Sequence, residues 1–117
     1  MIRRASEQPV EIRRSMRGGI GEVTVSHFFK PGECAAPVRL CARLTIPPGA
    51  SIGTHEHVDE DEFYIVVRGT GVLRDGEHEQ RVSCGDAVLT GSGGRHSISN
   101  DGNEPLELIA VIVLYGR

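Results

Sequence analysis

A chain of 117 residues, 25% charged and 38% hydrophobic, has the length for one domain with a real core and not for two. Its net charge of −3 offers no broad basic surface to nucleic acid or to a membrane face. The longest apolar run, Leu108 to Tyr115, is far too short to span a bilayer.

At the N-terminus, basic residues are followed by no apolar stretch, so no signal peptide is read there. Arg3, Arg4, Arg13, Arg14 and Arg17 crowd residues 1–20, which are expected to form a solvated arm or to pack on a partner subunit. Residues 21–117 then form the single domain. Cys34, Cys41 and Cys84 are odd in number and lack a C-x-x-C pair. They are expected to be reduced thiols, buried and inert, in a cytoplasmic protein.

From residue 21 onward short strands follow one another. In GEVTVSHFF, Val23 and Val25 share a face. VRLCARLTI alternates strictly, with Val38, Leu40, Ala42, Leu44 and Ile46 against Arg39, Cys41, Arg43 and Thr45. Pro47-Pro48-Gly49-Ala50 ends that strand as a turn. The stretch THEHVDEDEFY, residues 54–64, holds two of the five histidines beside the densest run of acid. EFYIVVRG continues as a β-branched and aromatic strand. Asp75-Gly76, inside VLRDGEHEQRV, is the strongest short hairpin signal in the chain. DAVLT and HSIS are short strands around GSGG, and NDGN at 100–103 is another turn. LELIAVIVLY is apolar on both faces after Glu107, as suits a strand buried between two layers or against a partner. Nine or ten strands with frequent turns, in a chain with fifteen glycines, predict an all-β sandwich or barrel.

Residues two apart on a strand point the same way, so His55 and His57 present two imidazoles to one side and Glu56 points away. If this strand and the next pair as a hairpin, Glu62 returns opposite His57, and Asp59, Glu60 and Asp61 form the exposed tip. Glu60 shares the parity of Glu62 and is the second candidate carboxylate. Two imidazoles and a carboxylate on neighbouring strands suit a divalent transition metal with open positions. His96, after the glycine-rich loop, could add a third imidazole. His27 and His78 have no partner at ligand spacing and are read as surface residues.

The stretch from Gly49 to Gly69 resembles the first motif of the cupins: Gly49-ASIGT-His55-Glu-His57-VDED-Glu62-FYIVVR-Gly69. Gly85-DAVLT-Gly91-Ser-Gly93-GR-His96-SIS-Asn100 resembles the second, with Gly91 where the family has proline. The resemblance implies a double-stranded β-helix, a jelly-roll-like barrel. It implies one metal held by His55, His57, Glu62 and His96 near the open end. Manganese or iron is the usual ion of the family, with nickel, zinc or copper as further choices. Many cupins are dimers, which would suit the doubly apolar C-terminal strand. The glycine at position 91 leaves a loop whose backbone is loosely fixed ahead of His96.

Three neutral imidazoles and one carboxylate leave a divalent ion with one net positive charge. If the ion is six-coordinate, two positions are open, which suits a small bidentate oxygen ligand such as an α-keto acid, oxalate, a catechol or an enediol. An anionic substrate would favour a cationic partner, and Arg39, Arg43 and Arg68 are the candidates. Tyr64 shares the face of Glu62 and is the candidate acid or hydrogen-bond donor. The expected activity is that of a metal-dependent enzyme, an oxidoreductase of dioxygenase type or a decarboxylase. The alternatives are a non-catalytic binding module and a sugar-type isomerase or epimerase. Oxalate decarboxylases carry an arginine where this chain has Ile52, and a shorter gap before the glutamate, so the resemblance to that branch is confined to the general motif.

Overall fold

The alternating stretches become ten strands, joined by tight turns, in a computed structural model that describes residues 1–116. They are β1 (Val10–Arg14), β2 (Glu22–His27), β3 (Val38–Ile46), β4 (Ser51–Glu56), β5 (Glu60–Arg68), β6 (Thr70–Asp75), β7 (His78–Ser83), β8 (Ala87–Thr90), β9 (Arg95–Ser99) and β10 (Leu106–Leu114). All pairings are antiparallel. A six-stranded sheet has the order β1-β2-β3-β10-β5-β8, and a four-stranded sheet the order β4-β9-β6-β7. In the hairpin β6–β7 Asp75 pairs with His78, so the turn is Gly76-Glu77, one residue beyond the Asp75-Gly76 signal, with Gly76 at φ +60°.

Alternation decides what lies between the sheets. On β3 the inward residues Leu40, Ala42, Leu44 and Ile46 are buried while Arg39 and Arg43 are exposed. On β10 the inward set is Leu106, Leu108, Ala110 and Ile112. These meet Val23 and Val25 of β2, Tyr64 and Val66 of β5, Ile52 of β4 and Ile98 of β9 in one core. Each fully buried aliphatic side chain stabilises the fold by about 1.5–3 kcal/mol. The other face of β10, with Ile109, Val111 and Val113, is half-buried. Beside it Phe63, Ile65 and Val67 of β5 and Leu89 of β8 are exposed, so an apolar band runs across the outside of the large sheet.

Four expectations change. Residues 10–14 do not leave the barrel as an arm: they pair with β2 as the edge strand of the large sheet, with most side chains still exposed. The histidine strand and the Glu62 strand do not form a hairpin. β4 pairs with β9 and β5 with β10 and β8, so the two lie in different sheets and Glu62 reaches the histidines across the barrel. Glu60 is buried rather than part of an exposed tip. The thiols are free, as expected, but Cys34 and Cys41 are only half-buried and Cys84 is exposed, because they sit at or beyond the outer faces of the sheets.

The segment between β1 and β2 is pinned to β4. The Ile20 N–H donates to Ser51 Oγ at 2.9 Å, and the Ser51 N–H donates to the Ile20 carbonyl at 2.8 Å. The backbones approach so closely that a Cβ on Gly53 would overlap the Arg17 carbonyl, and one on Gly19 the Ser51 carbonyl. Glycine at these two positions therefore seats the N-terminal segment against the strand that carries His55.

Candidate metal centre

His55 on β4 and His96 on β9 are direct register partners, which aligns their side chains on the inner face of the small sheet. His57 lies just past the end of β4. It is fixed by its backbone, whose N–H donates to the Gly94 carbonyl and whose carbonyl accepts from the Gly93 N–H, both at 2.9 Å. Glu62 projects from β5 opposite. His57 and His96 are each 1% exposed and Glu62 3%.

The Nε2 atoms of His57 and His55 each lie 2.9 Å from His96 Nε2. Glu62 Oε1 is 2.8 Å from His57 Nε2, 2.9 Å from His96 Nε2 and 3.7 Å from His55 Nε2. One atom from each of the four residues falls within 4.8 Å of all the others. Ligands at right angles about an ion, with bonds of about 2.1 Å, stand about 3.0 Å apart, so these separations fit a single ion.

The outer ring nitrogens set the tautomers of His55 and His57. His55 Nδ1 donates to the Gly53 carbonyl at 2.7 Å, and His57 Nδ1 donates to Glu60 Oε2 at 2.6 Å. Both partners can only accept. His96 Nδ1 lies 2.9 Å from Thr90 Oγ1. With the proton on Nδ1, the Nε2 lone pairs of His55 and His57 point inward beside the Glu62 carboxylate, and the Thr90 hydroxyl can accept from His96 Nδ1 so that a third lone pair joins them. They repel one another unless a cation lies between them. Burial pushes the Glu62 carboxyl up, but the imidazoles of His55 and His96, with that of His57, more than reverse this and hold it at about 2. Burial also lowers His96, against the pull of Glu62, which favours the neutral ring that a metal needs.

Tyr64 stacks on His96 with ring centroids 5.0 Å apart and planes 11° from parallel. It is buried, and desolvation pushes its hydroxyl well above the ordinary range, so it stays protonated. Among the candidate arginines, Arg39 lines the cavity above the site, while Arg43 and Arg68 lie outside it and both approach Glu107. Arg39 makes a bidentate pair with Glu60, at 2.9 and 2.8 Å, so Glu60 links a cavity arginine to His57. That pairing raises Arg39 and lowers Glu60.

The cavity holds about 220 Å³, below the range of about 300–1,000 Å³ typical of drug-sized ligands. Its floor includes His55, His57, Glu62 and Tyr64. Its roof comes from the first thirty residues and includes Glu11, Arg13, Arg17, His27 and Lys30. None of these five was expected at the site. For His27 the signal was available: it continues the inward parity of Val23 and Val25 on β2. It is 7% exposed rather than a surface residue, with Nε2 2.7 Å from Glu11 Oε1. His78 is exposed, as its sequence context suggests.

The loop before His96 is better held than its glycines suggest. A Cβ at position 91 would overlap the Asp61 carboxylate. The Tyr115 hydroxyl donates to Asp61 at 2.8 Å and accepts from the Ser92 N–H at 2.8 Å. Asn100, which closes the second motif, is a structural clamp: its Nδ2 donates to the carbonyls of Ile46 and Glu104.

A sequence model of the cupin domain matches residues 42–112. A Thermotoga maritima protein named oxalate-binding protein is 42% identical over 97% of this chain and 94% of its own length. A solved Thermotoga maritima structure, described as that of a predicted oxalate decarboxylase, superposes with a TM-score of 0.93 at 42% identity, covering 97% of this chain and 99% of that one. A Thermus thermophilus structure superposes at 0.69 with 23% identity over 80% of this chain and 85% of that one, a likeness of fold alone. The two facing antiparallel sheets are thus a double-stranded β-helix, and the chain belongs to the cupin family.

Proposed function

We propose that this chain holds one divalent metal ion through His55, His57, Glu62 and His96, and binds on it a small carboxylic acid of the oxalate class. The observation that carries the reading is the convergence of three inward-facing Nε2 atoms and one ionised carboxylate on the floor of a small cavity with cationic walls. Manganese or iron is the ion we favour, and when bound it supplies Lewis acidity and a two-point template for oxygen ligands. The 42% identical oxalate-binding protein supports the ligand class.

The protein's own groups act around that ion. Glu60 fixes the tautomer of His57, Arg39 fixes Glu60, and Tyr64 offers a hydroxyl that stays protonated. Among the described residues lining the cavity, the carboxylate other than Glu62 is Glu11, which is tied to Arg13 and His27. No free carboxyl is left there to deliver a proton, which favours binding over turnover. Decarboxylase-type or dioxygenase-type turnover is the second reading, supported by the similar structure described as a predicted oxalate decarboxylase.

The test is elemental analysis together with calorimetric titration of oxalate into protein loaded with manganese or iron, beside Glu62→Ala. Stoichiometric metal and metal-dependent oxalate binding, both lost in the variant, are expected. Metal-independent binding, or none, would sink the reading. Carbon dioxide release or oxygen uptake in the same samples would move the assignment to the enzyme.

A further inference from the structure

We infer that the N-terminal segment supplies a second anion-binding subsite, built on Arg17 and Lys30, so that the ligand carries a second carboxylate beyond the one on the metal. The inference rests on the metal-bound acid proposed above and extends its class beyond oxalate to longer dicarboxylic acids.

Pairing of charges in the cavity wall is the first ground. Four cations line it, namely Arg13, Arg17, Lys30 and Arg39. Arg13 is engaged by Glu11 at 2.8 Å and Arg39 by Glu60 at 2.8 and 2.9 Å. Among the described residues, no ion pair or side-chain hydrogen bond engages the Arg17 guanidinium or the Lys30 ammonium. Two cations without a direct partner thus line the same small cavity as the metal ligands, Lys30 at its edge, where it also feels the Glu33 carboxylate. In a confined space with low-dielectric walls such charges raise the local concentration of anions.

The second ground is how Arg17 is held. Its backbone is left-handed, with φ 54° and ψ 31°, a conformation that costs any residue with a side chain. Strain of this kind persists only where the surroundings over-determine it. Here the surroundings are the contact of the Arg17 carbonyl with Gly53 and the paired hydrogen bonds between Ile20 and Ser51. All anchor on β4, within a few residues of His55. Glycine would be the relaxed choice at position 17, and an arginine stands there instead. Lys30 approaches from a different stretch of chain, beyond β2, so the two cations are brought together by the fold and not by sequence proximity.

A carboxylate fixed on the metal places the rest of its molecule in this cavity. A one-headed acid such as pyruvate leaves Arg17 and Lys30 unused. An acid with the same chelating end and a second carboxylate engages them through charge-assisted hydrogen bonds. Pyruvate, oxaloacetate and 2-oxoglutarate are the probes, since they share the 2-oxo acid end and differ in the tail attached to it.

Titration calorimetry of each into the metal-loaded protein is the experiment. At least one of the two longer acids is expected to bind about tenfold more tightly than pyruvate. Arg17→Gln and Lys30→Gln are each expected to weaken the longer acids more than pyruvate and so to erode that preference. Arg17→Gly guards against misfolding, because it removes the cation while relaxing the backbone, and it must lose the preference too; Arg17→Lys must restore part of it. Equal affinity for all three acids in the parent overturns the inference, as does a preference that survives in the Arg17→Gln/Lys30→Gln double variant. In both cases metal-dependent binding of pyruvate leaves the proposed function standing. If no acid binds the loaded protein, oxalate included, the proposed function fails and this inference falls with it.

Discussion

Replacing Glu60 by glutamine separates the hold on the metal from the metal ligands themselves. The carboxylate is 6% exposed and accepts from His57 Nδ1 at 2.6 Å and from Arg39 at 2.9 and 2.8 Å. Glutamine keeps the volume but has one acceptor oxygen and an amide that only donates. If the oxygen stays with Arg39, the amide faces His57 Nδ1–H, donor against donor. The ring escapes by moving its proton to Nε2, the atom that must ligate the metal. Loss of such an outer partner weakens metal binding by about ten- to a hundredfold. At about 1.36 kcal/mol per tenfold, that is roughly 1.4–2.7 kcal/mol. The assay is competition for manganese or iron with a chelator of known affinity, with circular dichroism as the control for folding. A Glu60→Gln protein that folds and holds metal within twofold of the parent would refute the tautomer reasoning.

Gly53→Ala should lower stability by about 1–3 kcal/mol, read as a fall in melting temperature, because the new Cβ meets the Arg17 backbone and not a side chain that can swing away. An unchanged melting temperature would mean that the N-terminal segment is not seated as described. Acid should release that segment before the core. Hydrogen bonds from Arg13 and His27 hold Glu11 at about 2, and the bidentate pair from Arg3, with the Lys30 N–H, holds Glu33 at about 2, against 4.5 for a free glutamate. Both are depressed, so their contribution is complete above the unfolded value and disappears as pH falls from about 4.5 through 2. Hydrogen exchange of residues 1–33 should rise over that window while β3 and β10 stay protected; simultaneous loss of protection in both would contradict this. Phe63→Glu, in the middle of the exposed apolar band, should convert the expected homodimer to monomer in light scattering, and an unchanged mass would place any dimer contact elsewhere.

Much of the fold was legible because alternation is local. Each of β2, β3 and β10 buries the residues that its parity selects. The clustering of His55, His57, Glu62 and His96 was legible for the same reason, reinforced by two motifs with defined gaps. Sheet membership was not, because the chain crosses from one sheet to the other between His57 and Glu60, and a polar stretch such as VDED reads equally well as a hairpin tip. The roof was not legible either. Arg13 and Arg17 look like any basic surface run until β1 is known to pair with β2 beside the mouth of the barrel. Nothing in the local sequence reveals that Arg39, on an outward-facing parity, turns at the barrel end to meet Glu60.

Position 91 shows most clearly how a local reading misleads. A proline in the family's loop restricts the backbone by itself, through one locked φ. Glycine gives that up, and read locally it leaves the segment before His96 loose. In the fold, the space that a side chain at 91 would fill is taken by the Asp61 carboxylate, which the Tyr115 hydroxyl binds while accepting from the Ser92 N–H. The same loop exchanges two backbone hydrogen bonds with His57. Rigidity supplied elsewhere by one covalent ring is supplied here by side chains and backbone groups from distant stretches of chain. The clamp ties both ends of the ligand set together, since the loop that precedes His96 is also what fixes His57. A departure from a motif is therefore weak evidence of a weakened site until the contacts that replace the missing residue are known.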